Sequence, residues 1–260
     1  MAGLRIFLLG SFQVQLEDHP VTFDYVKVQA LLAYLVVEAS QPVQREKLAA
    51  MLWPESSQQA AHSGLRQALA RLRATLDDRH ASSPYILAER DTLQLNPVNT
   101  PWCDVHHFDQ ILAQRDSHPH DSLITCPTCA DLQAQLHQLY RGDFLEWLSV
   151  PNSIFFEEWA QIIRERKRLL ALEALGNLAE YHHRQGDFSG MLQAALRQVE
   201  LDPLHEPAHR QLMRALAGNG QRSQAISHFN DFAALLQKEL GIHPSADTLV
   251  LLESIKEETV

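Results

Sequence analysis

Residues 118–129 read HPHDSLITCPTC and bring His118, His120, Cys126 and Cys129 together within twelve positions. Two imidazoles and two thiols are the donor types and the number that a tetrahedral zinc ion takes. Cys126 stands where it can cap a helix starting at Pro127, which puts Cys129 one turn on. Three readings stay open: a structural zinc site, packed or solvent-facing side chains without metal, and a redox-active Cys-x-x-Cys pair. The redox reading calls for a thioredoxin-like βαβ setting, which the flanking sequence lacks. Cys103 reads as a small buried side chain, and paired histidines at 106–107 and 182–183 read as surface residues.

A second stretch, AHSGLRQALARLRATLDD from Ala61 to Asp78, offers different chemistry. Nothing acidic lies between Ser56 and Thr75, while Arg66, Arg71 and Arg73 do, in a chain of net charge −10. Leu65, Leu69, Leu72 and Leu76 recur at helical spacing and form one buried stripe. The opposite face carries Gln59, Ser63, Arg66, Gln67, Ala70 and Arg73, with Arg71 at its edge. Such side chains hydrogen-bond to phosphates and base edges, although a charged helix face is often simply solvated. For catalysis there is no nucleophile elbow, no acid pair with a pocket and no phosphate-binding loop. Glu157 and Glu158 in FFEEW read as the wet side of a packing face made by Phe155, Phe156 and Trp159. An enzyme is not expected.

The elements around the basic helix say how it would be held. Residues 4–23 alternate around Gly10 and an EDHP turn, giving two or three short strands. VKVQALLAYLVVEA (26–39) and QREKLAAMLWP (44–54) are helices, the second stopped by Pro54. The basic helix covers about 57–76, and YILAERDTLQLNP (85–97) reads as a hairpin bent at Arg90–Asp91. Strands, three helices and a hairpin are the order of a winged helix-turn-helix, whose third helix enters the major groove.

The chain has 260 residues and 45% hydrophobic content, enough for two domains. Residues 1–100 hold nine Lys/Arg and ten Asp/Glu, whereas 101–260 hold thirteen and twenty-two, so the acidity belongs to the second half. No apolar run approaches a membrane span, and three cysteines suit a reducing compartment. A cytoplasmic protein without membrane contact is expected. After a Pro-rich linker at 97–101 the pattern is helical and repeats at 34 residues. Gly186 pairs with Gly220, Leu178 with Leu212, Met191 with Ala225, and Ala195 with Phe229. That period, with Gly at the turn and Pro203 closing a unit, is the tetratricopeptide signature. YRGDFLEW (140–147) echoes RQGDFSGM (184–191) and suggests a further helical pair upstream. The fold expected is mainly α: an amino-terminal winged helix-turn-helix (α+β) over 1–97, then an all-α tetratricopeptide-like repeat domain over 98–260.

LLAYLVVEASQPVQREKLAAMLWP, LRQALARLR, LYRGDFL, FFEEW and LLQKELGIHPSADTLVLLESI occur here in that order. With them the chain resembles the Streptomyces antibiotic regulatory protein family, an OmpR-like winged helix followed by a bacterial transcriptional activator domain. The resemblance implies a cytoplasmic activator that binds direct-repeat operators in double-stranded DNA, as a homodimer on DNA, and contacts RNA polymerase. It implies groove contacts from Gln59, His62, Ser63, Arg66 and Gln67, and phosphate contacts from Arg71 and Arg73. Lys27 and Arg45 match backbone-contacting positions, and Arg90 lies at the wing tip. No cofactor is required, structural zinc at the Cys/His cluster being the one addition considered. Without a nucleotide-binding loop the chain reads as a short member or the front of a longer signalling protein. The rival function is a tetratricopeptide adaptor whose winged helix does not bind DNA.

Overall fold

The computed structural model describes residues 3–39, 41–78, 81 and 83–257. The chain opens with an antiparallel meander of β1 (Leu4–Phe7), β2 (Gln13–Leu16) and β3 (His19–Val21), in register Leu4↔Leu16 and Val14↔Val21. Glu17 and Asp18, at φ 50° and 64°, make the two-residue turn between β2 and β3. Two consecutive left-handed residues match the right-handed twist of the strands they join. Next come α1 (Val26–Val37), β4 (Val43–Gln44), α2 (Arg45–Leu52) and α3 (Gln58–Thr75). Every residue from Ala30 to Val36 is buried, so α1 is the centre around which the other helices pack. The hairpin β5 (Ile86–Ala88) and β6 (Thr92–Leu95) joins β4 in a sheet of order β4-β6-β5. Ile86, Leu93 and Leu95 turn inward. This is the winged helix expected from the sequence.

β7 (Trp102–Cys103) returns to pair parallel with β1 and completes the first sheet, order β3-β2-β1-β7. The rest is helical: α4 (Asp104–Ser117), α5 (Pro127–Leu139), α6 (Ile154–Arg184), α7 (Phe188–Leu201), α8 (Glu206–Gly218), α9 (Arg222–Leu240) and α10 (Ala246–Lys256). Among the described residues no helix is long and apolar enough to cross a membrane. The chain gathers into two compact units. The first holds residues 1–110 and 139–167, and the second 111–138 and 168–260.

The first unit therefore takes in a segment far beyond the linker, and a buried carboxylate explains how. Where the β1–β7 ladder stops at Cys103, the next residue, Asp104, accepts hydrogen bonds from the N–H groups of Leu8 (2.8 and 2.9 Å) and Leu9 (2.9 Å). Arg141 approaches the same carboxylate at 3.4 Å. Beyond it, Leu145 N–H donates to the Leu8 carbonyl (2.8 Å) and Gly10 N–H to that of Asp143 (2.9 Å). YRGDFLEW is thus an irregular segment laid along the continuation of β1, not the tight turn of a repeat. Phe144 and Leu145 are fully buried there, and the long connection it makes between α5 and α6 differs from the short turn that its likeness to RQGDFSGM suggests. FFEEW is helical as expected, inside α6, but its packing face differs from the one expected. Phe156 is buried and Trp159 packs on Tyr34 with ring centroids 4.8 Å apart, but Phe155 is exposed. Glu157 accepts the N–H of Val150 at 2.7 Å. Phe156, Trp159 and Ala160 share one helix face, and Phe155 falls a quarter-turn away from it.

In the second unit the 34-residue repeat is structural. Gly186 and Gly220 both take left-handed backbone, φ 72° and 75°, at the turns before α7 and α9. That conformation is costly for any residue with a Cβ. The paired positions Leu178 and Leu212, Met191 and Ala225, Ala195 and Phe229 are all buried. In the second repeat, His209 of α8 is stacked on Phe232 of α9 with ring centroids 3.7 Å apart. Its Nε2 lies 2.9 Å from the Pro203 carbonyl and its Nδ1 2.9 Å from Nε2 of His228. A carbonyl can only accept, so Nε2 carries the proton, and a neutral ring then accepts from His228 at Nδ1.

Two outcomes test this packing. Asp104→Ala strands two buried N–H groups and should cost at least about 2 kcal/mol in chemical denaturation, with Asp104→Asn milder. By the same reasoning a fragment ending at residue 97, which lacks β7 and Asp104, should melt well below one spanning 1–167. His209 is pushed down to about 4 by burial, whereas an unfolded histidine titrates near 6.5. Between those values the unfolded chain binds the extra proton, so stability should fall as pH drops from about 6.5 towards 4. His209→Gln should flatten that part of the stability–pH curve.

Candidate nucleic-acid interface

α3 begins where Ser57 accepts the Ala60 N–H through its hydroxyl (3.4 Å), satisfying one free amide of the first turn. Ala61, Leu65, Ala68, Leu69 and Leu72 are buried against the unit, and Leu76 continues the stripe past the helix end. Gly64 sits where a Cβ would come 2.7 Å from the Trp53 ring, so the missing side chain lets α3 lie against the end of α2. With one face fixed in this way, the other is left outward. Gln59, Arg66 and Gln67 are exposed and Ser63 is half-exposed.

The other basic residues divide by what already holds them. Arg45, first residue of α2, donates from Nε to the Glu89 carbonyl (3.0 Å), and its own N–H goes to the Asp91 carbonyl (2.8 Å). Arg73, in the same arc of α3 as Arg66 but two turns on, donates from Nη2 to the Ile86 carbonyl (2.9 Å) and lies 3.7 Å from the buried Asp78 carboxylate. Burial, with Arg73 as a like-charged neighbour, lowers the pKa of Arg45. These two guanidinium groups tie the hairpin to α2 and α3. Arg90 stands exposed at its tip between Glu89 and Asp91.

On the other flank the Arg71 guanidinium lies 3.7 Å from the centroid of the half-exposed Tyr25 ring, and the Lys27 ammonium 4.9 Å from that of Trp53. Burial lowers the pKa of Lys27 while Glu55 opposes the shift. Lys27, Arg71 and Gln67 border a groove of about 310 Å³ floored by Tyr25, Trp53 and Gly64. His62 is half-buried on the opposite flank, beside Glu46 and Trp53. The structure therefore brings Gln59, Ser63, Arg66 and Gln67 onto one open face, sets Lys27 and Arg71 along one edge, and gives Arg45, Arg73 and Arg90 to the wing. Tyr25 was silent in the sequence. A lone exposed aromatic just before a helix gives no periodic signal, and only its stacking on Arg71 reveals its part.

In the second unit, His118 directly follows α4, and Cys126 and Cys129 flank the first turn of α5. Ligand atoms of these three residues lie within 4.8 Å of one another. His120 completes the neighbourhood, with Nδ1 3.4 Å from Sγ of Cys129 and 2.7 Å from the His118 carbonyl. Cys103 is elsewhere, buried on β7, its thiol pushed up to about 12 by burial and the Asp104 carboxylate.

Comparison with known proteins agrees with this architecture. The bacterial transcriptional activator domain matches residues 103–256, and the domain described as transcriptional regulatory protein, C terminal, matches 26–92. The transcriptional regulatory protein EmbR of Mycobacterium tuberculosis is 27% identical over 251 residues, covering 95% of this chain and 62% of the relative. The chain thus spans less than two thirds of that relative's length. The regulatory protein DnrI of Streptomyces peucetius is 30% identical over 154 residues, 59% of this chain and 53% of DnrI. The structure of M. tuberculosis EmbR in complex with low affinity phosphopeptide superposes with a TM-score of 0.70 at 24% identity, covering all of this chain and 66% of that one. Both relatives are named as regulatory proteins, EmbR as a transcriptional one, and neither as an enzyme. With more than half of its length in the family match, the chain belongs to the bacterial transcriptional activator domain family, among regulators of the Streptomyces antibiotic regulatory protein type.

Proposed function

We propose that this protein is a sequence-specific DNA-binding activator of transcription that reads operator DNA through α3. The observation that carries the reading is the open face of α3. It is an 18-residue capped helix without an acidic residue, fixed from behind by leucines and by Trp53 against Gly64, and it presents Gln59, Ser63, Arg66 and Gln67 together. Arginine and glutamine are the residue types that make two-pronged hydrogen bonds to guanine and adenine edges in the major groove. Arg71 and Lys27, on aromatic supports along one edge, suit phosphates, which position a protein without reading sequence. Arg90 brings a further cation to the wing tip, and His62 borders the groove-facing set. Arg45 and Arg73 hold the wing in place, and any phosphate contact they make comes second to that. Residues 1–97 act as the reader, and 98–260 supply contacts to RNA polymerase and to a second copy on a direct-repeat operator. The protein acts in the cytoplasm.

The test uses the full chain and duplexes selected from a random-sequence pool. Arg66→Ala should cost about 1–3 kcal/mol on the best duplex and relax discrimination at one position. Arg71→Ala should weaken all duplexes about equally and lower the slope of log affinity against log salt by about one. Arg73→Ala, which strips the Ile86 carbonyl of its partner, should lower stability by about 1–3 kcal/mol and affect DNA binding chiefly through the wing. If a folded Arg66→Ala, Arg71→Ala double variant binds the selected duplex as the parent does across salt concentrations, the adaptor reading replaces this one.

A further inference from the structure

The four residues of the Cys/His cluster come from a short connection with little else to hold it. Between the end of α4 at Ser117 and the start of α5 at Pro127, the backbone bonds are those that finish one helix and begin the next, with a single turn at Ser122–Thr125 between them. Nevertheless His118, Cys126 and Cys129 point their donor atoms at a common space. The reason is local. Cys126 is the last residue before α5, its carbonyl already accepting the Ala130 N–H (3.0 Å), so Cys126 and Cys129 stand one turn apart on the same side of the helix. His118 is held at the end of α4 by bonds from its N–H to the carbonyls of Gln114 (3.0 Å) and Arg115 (3.3 Å). The two helix ends present the three donors to each other.

We infer that His118, His120, Cys126 and Cys129 form a structural zinc site that clasps the α4–α5 connection. His120 supplies the fourth ligand. Its Nδ1 lies 3.4 Å from Sγ of Cys129, and giving up its contact with the His118 carbonyl, 2.7 Å away, frees that nitrogen for the ion while Nε2 keeps the proton. The His118 and His120 rings are nearly parallel, 20° apart, with centroids 6.1 Å from each other, so each can turn an edge towards the same ion. Tetrahedral bonds of about 2.3 Å to sulfur and about 2.0 Å to nitrogen set donor atoms roughly 3.3–3.8 Å apart. The present spacing, within 4.8 Å for three of them, closes to that by a small contraction of the connection.

Binding releases one proton from each thiol and none from the two neutral imidazoles, leaving two thiolates to balance the charge of the ion. Four protein ligands leave no open position, so the site is one for structure rather than for Lewis-acid chemistry. The site lies outside the residues assigned to DNA, and the inference stands whether or not α3 reads operator sequence.

The test measures metal in the full chain, purified without chelator. Elemental analysis should give about one zinc per chain, falling at least tenfold in Cys126→Ser and in Cys129→Ser, and remaining at one in Cys103→Ser. Titration with zinc of metal-stripped protein should give an affinity at least tenfold weaker for His120→Ala than for the parent. Refilling the metal-stripped parent with cobalt(II), which needs no variant to fold, should produce the intense visible bands and the sulfur charge-transfer absorption of a tetrahedral site with two thiolates. The inference is overturned if the parent neither carries zinc nor takes up cobalt, if the Cys126→Ser, Cys129→Ser double variant keeps its zinc, or if the stripped parent refilled with zinc still shows a Cys126–Cys129 disulfide as its stable form.

Discussion

The amides of Leu8 and Leu9 need an acceptor after the β7 ladder ends, and Asp104 supplies it. A buried backbone N–H without a partner costs as much as a lost hydrogen bond, so the carboxylate must sit at this point. Its placement has consequences in three directions. It starts α4 at the edge of the amino-terminal sheet, it draws Arg141 inward, and it leaves the Leu8 and Gly10 carbonyls to be met by Leu145 and Glu146. Through those bonds the segment 139–150 becomes part of the winged-helix unit. The opening of α6 then follows. Ser153 donates from its hydroxyl to the Met51 carbonyl, and Trp159 donates from Nε1 to Glu38 at 2.9 Å. Both bonds reach the helices that carry α3. Burial pushes the pKa of Asp104 up while its backbone bonds and Arg141 pull it down. Taking a carboxylate out of water is costly, and here its geometry matters more than its charge.

A second constraint acts on the cations. The winged-helix unit uses Arg45 and Arg73 inside its own architecture, each satisfying a main-chain carbonyl of the hairpin. A short β-hairpin is marginal by itself, and this one adds a β4 pairing and two guanidinium anchors. Arg66 has no such duty on the face of α3, and Arg71 rests on an aromatic ring that leaves its hydrogen-bonding edges available. Stacking of this kind limits the freedom of a long side chain before any partner arrives. The wing is thus rigid and weakly charged, with Arg90 set between two acids, while the usable positive charge lies along α3.

The second unit solves its packing by repetition. Each helical pair buries side chains at the same places, Met191 and Ala225 at one and Ala195 and Phe229 at another, and reverses direction over a left-handed glycine. Close approach elsewhere depends on glycine too: at Gly218 a Cβ would collide with the Phe188 ring at 2.3 Å, so the end of α8 rests directly on the first residue of α7. Helix pairs that share a core in this way stabilise one another rather than standing alone.

Much of this was legible in the sequence because it rests on local periodicity. The leucine stripe of α3, the hairpin around Arg90, the helix stop before Pro54 and the 34-residue spacing of Gly186 and Gly220 each follow from neighbours a few residues apart or from a regular repeat. The open face of α3 was legible for the same reason, since fixing one side of a helix fixes the other. What only the tertiary structure decided were partnerships across long separations. Arg73 reads like Arg66 in any helical projection, yet a carbonyl on β5 claims it. Tyr25 gained its part only through Arg71, forty-six positions away. YRGDFLEW resembles a repeat turn but lies along β1, because Leu8 and Gly10, some 135 residues earlier, present unmatched backbone groups there. Local sequence sets the intrinsic shape of each segment. It cannot state which distant amide or carbonyl will be left without a partner, and in this protein those unmatched groups decided where the arginines and the long connection before α6 went.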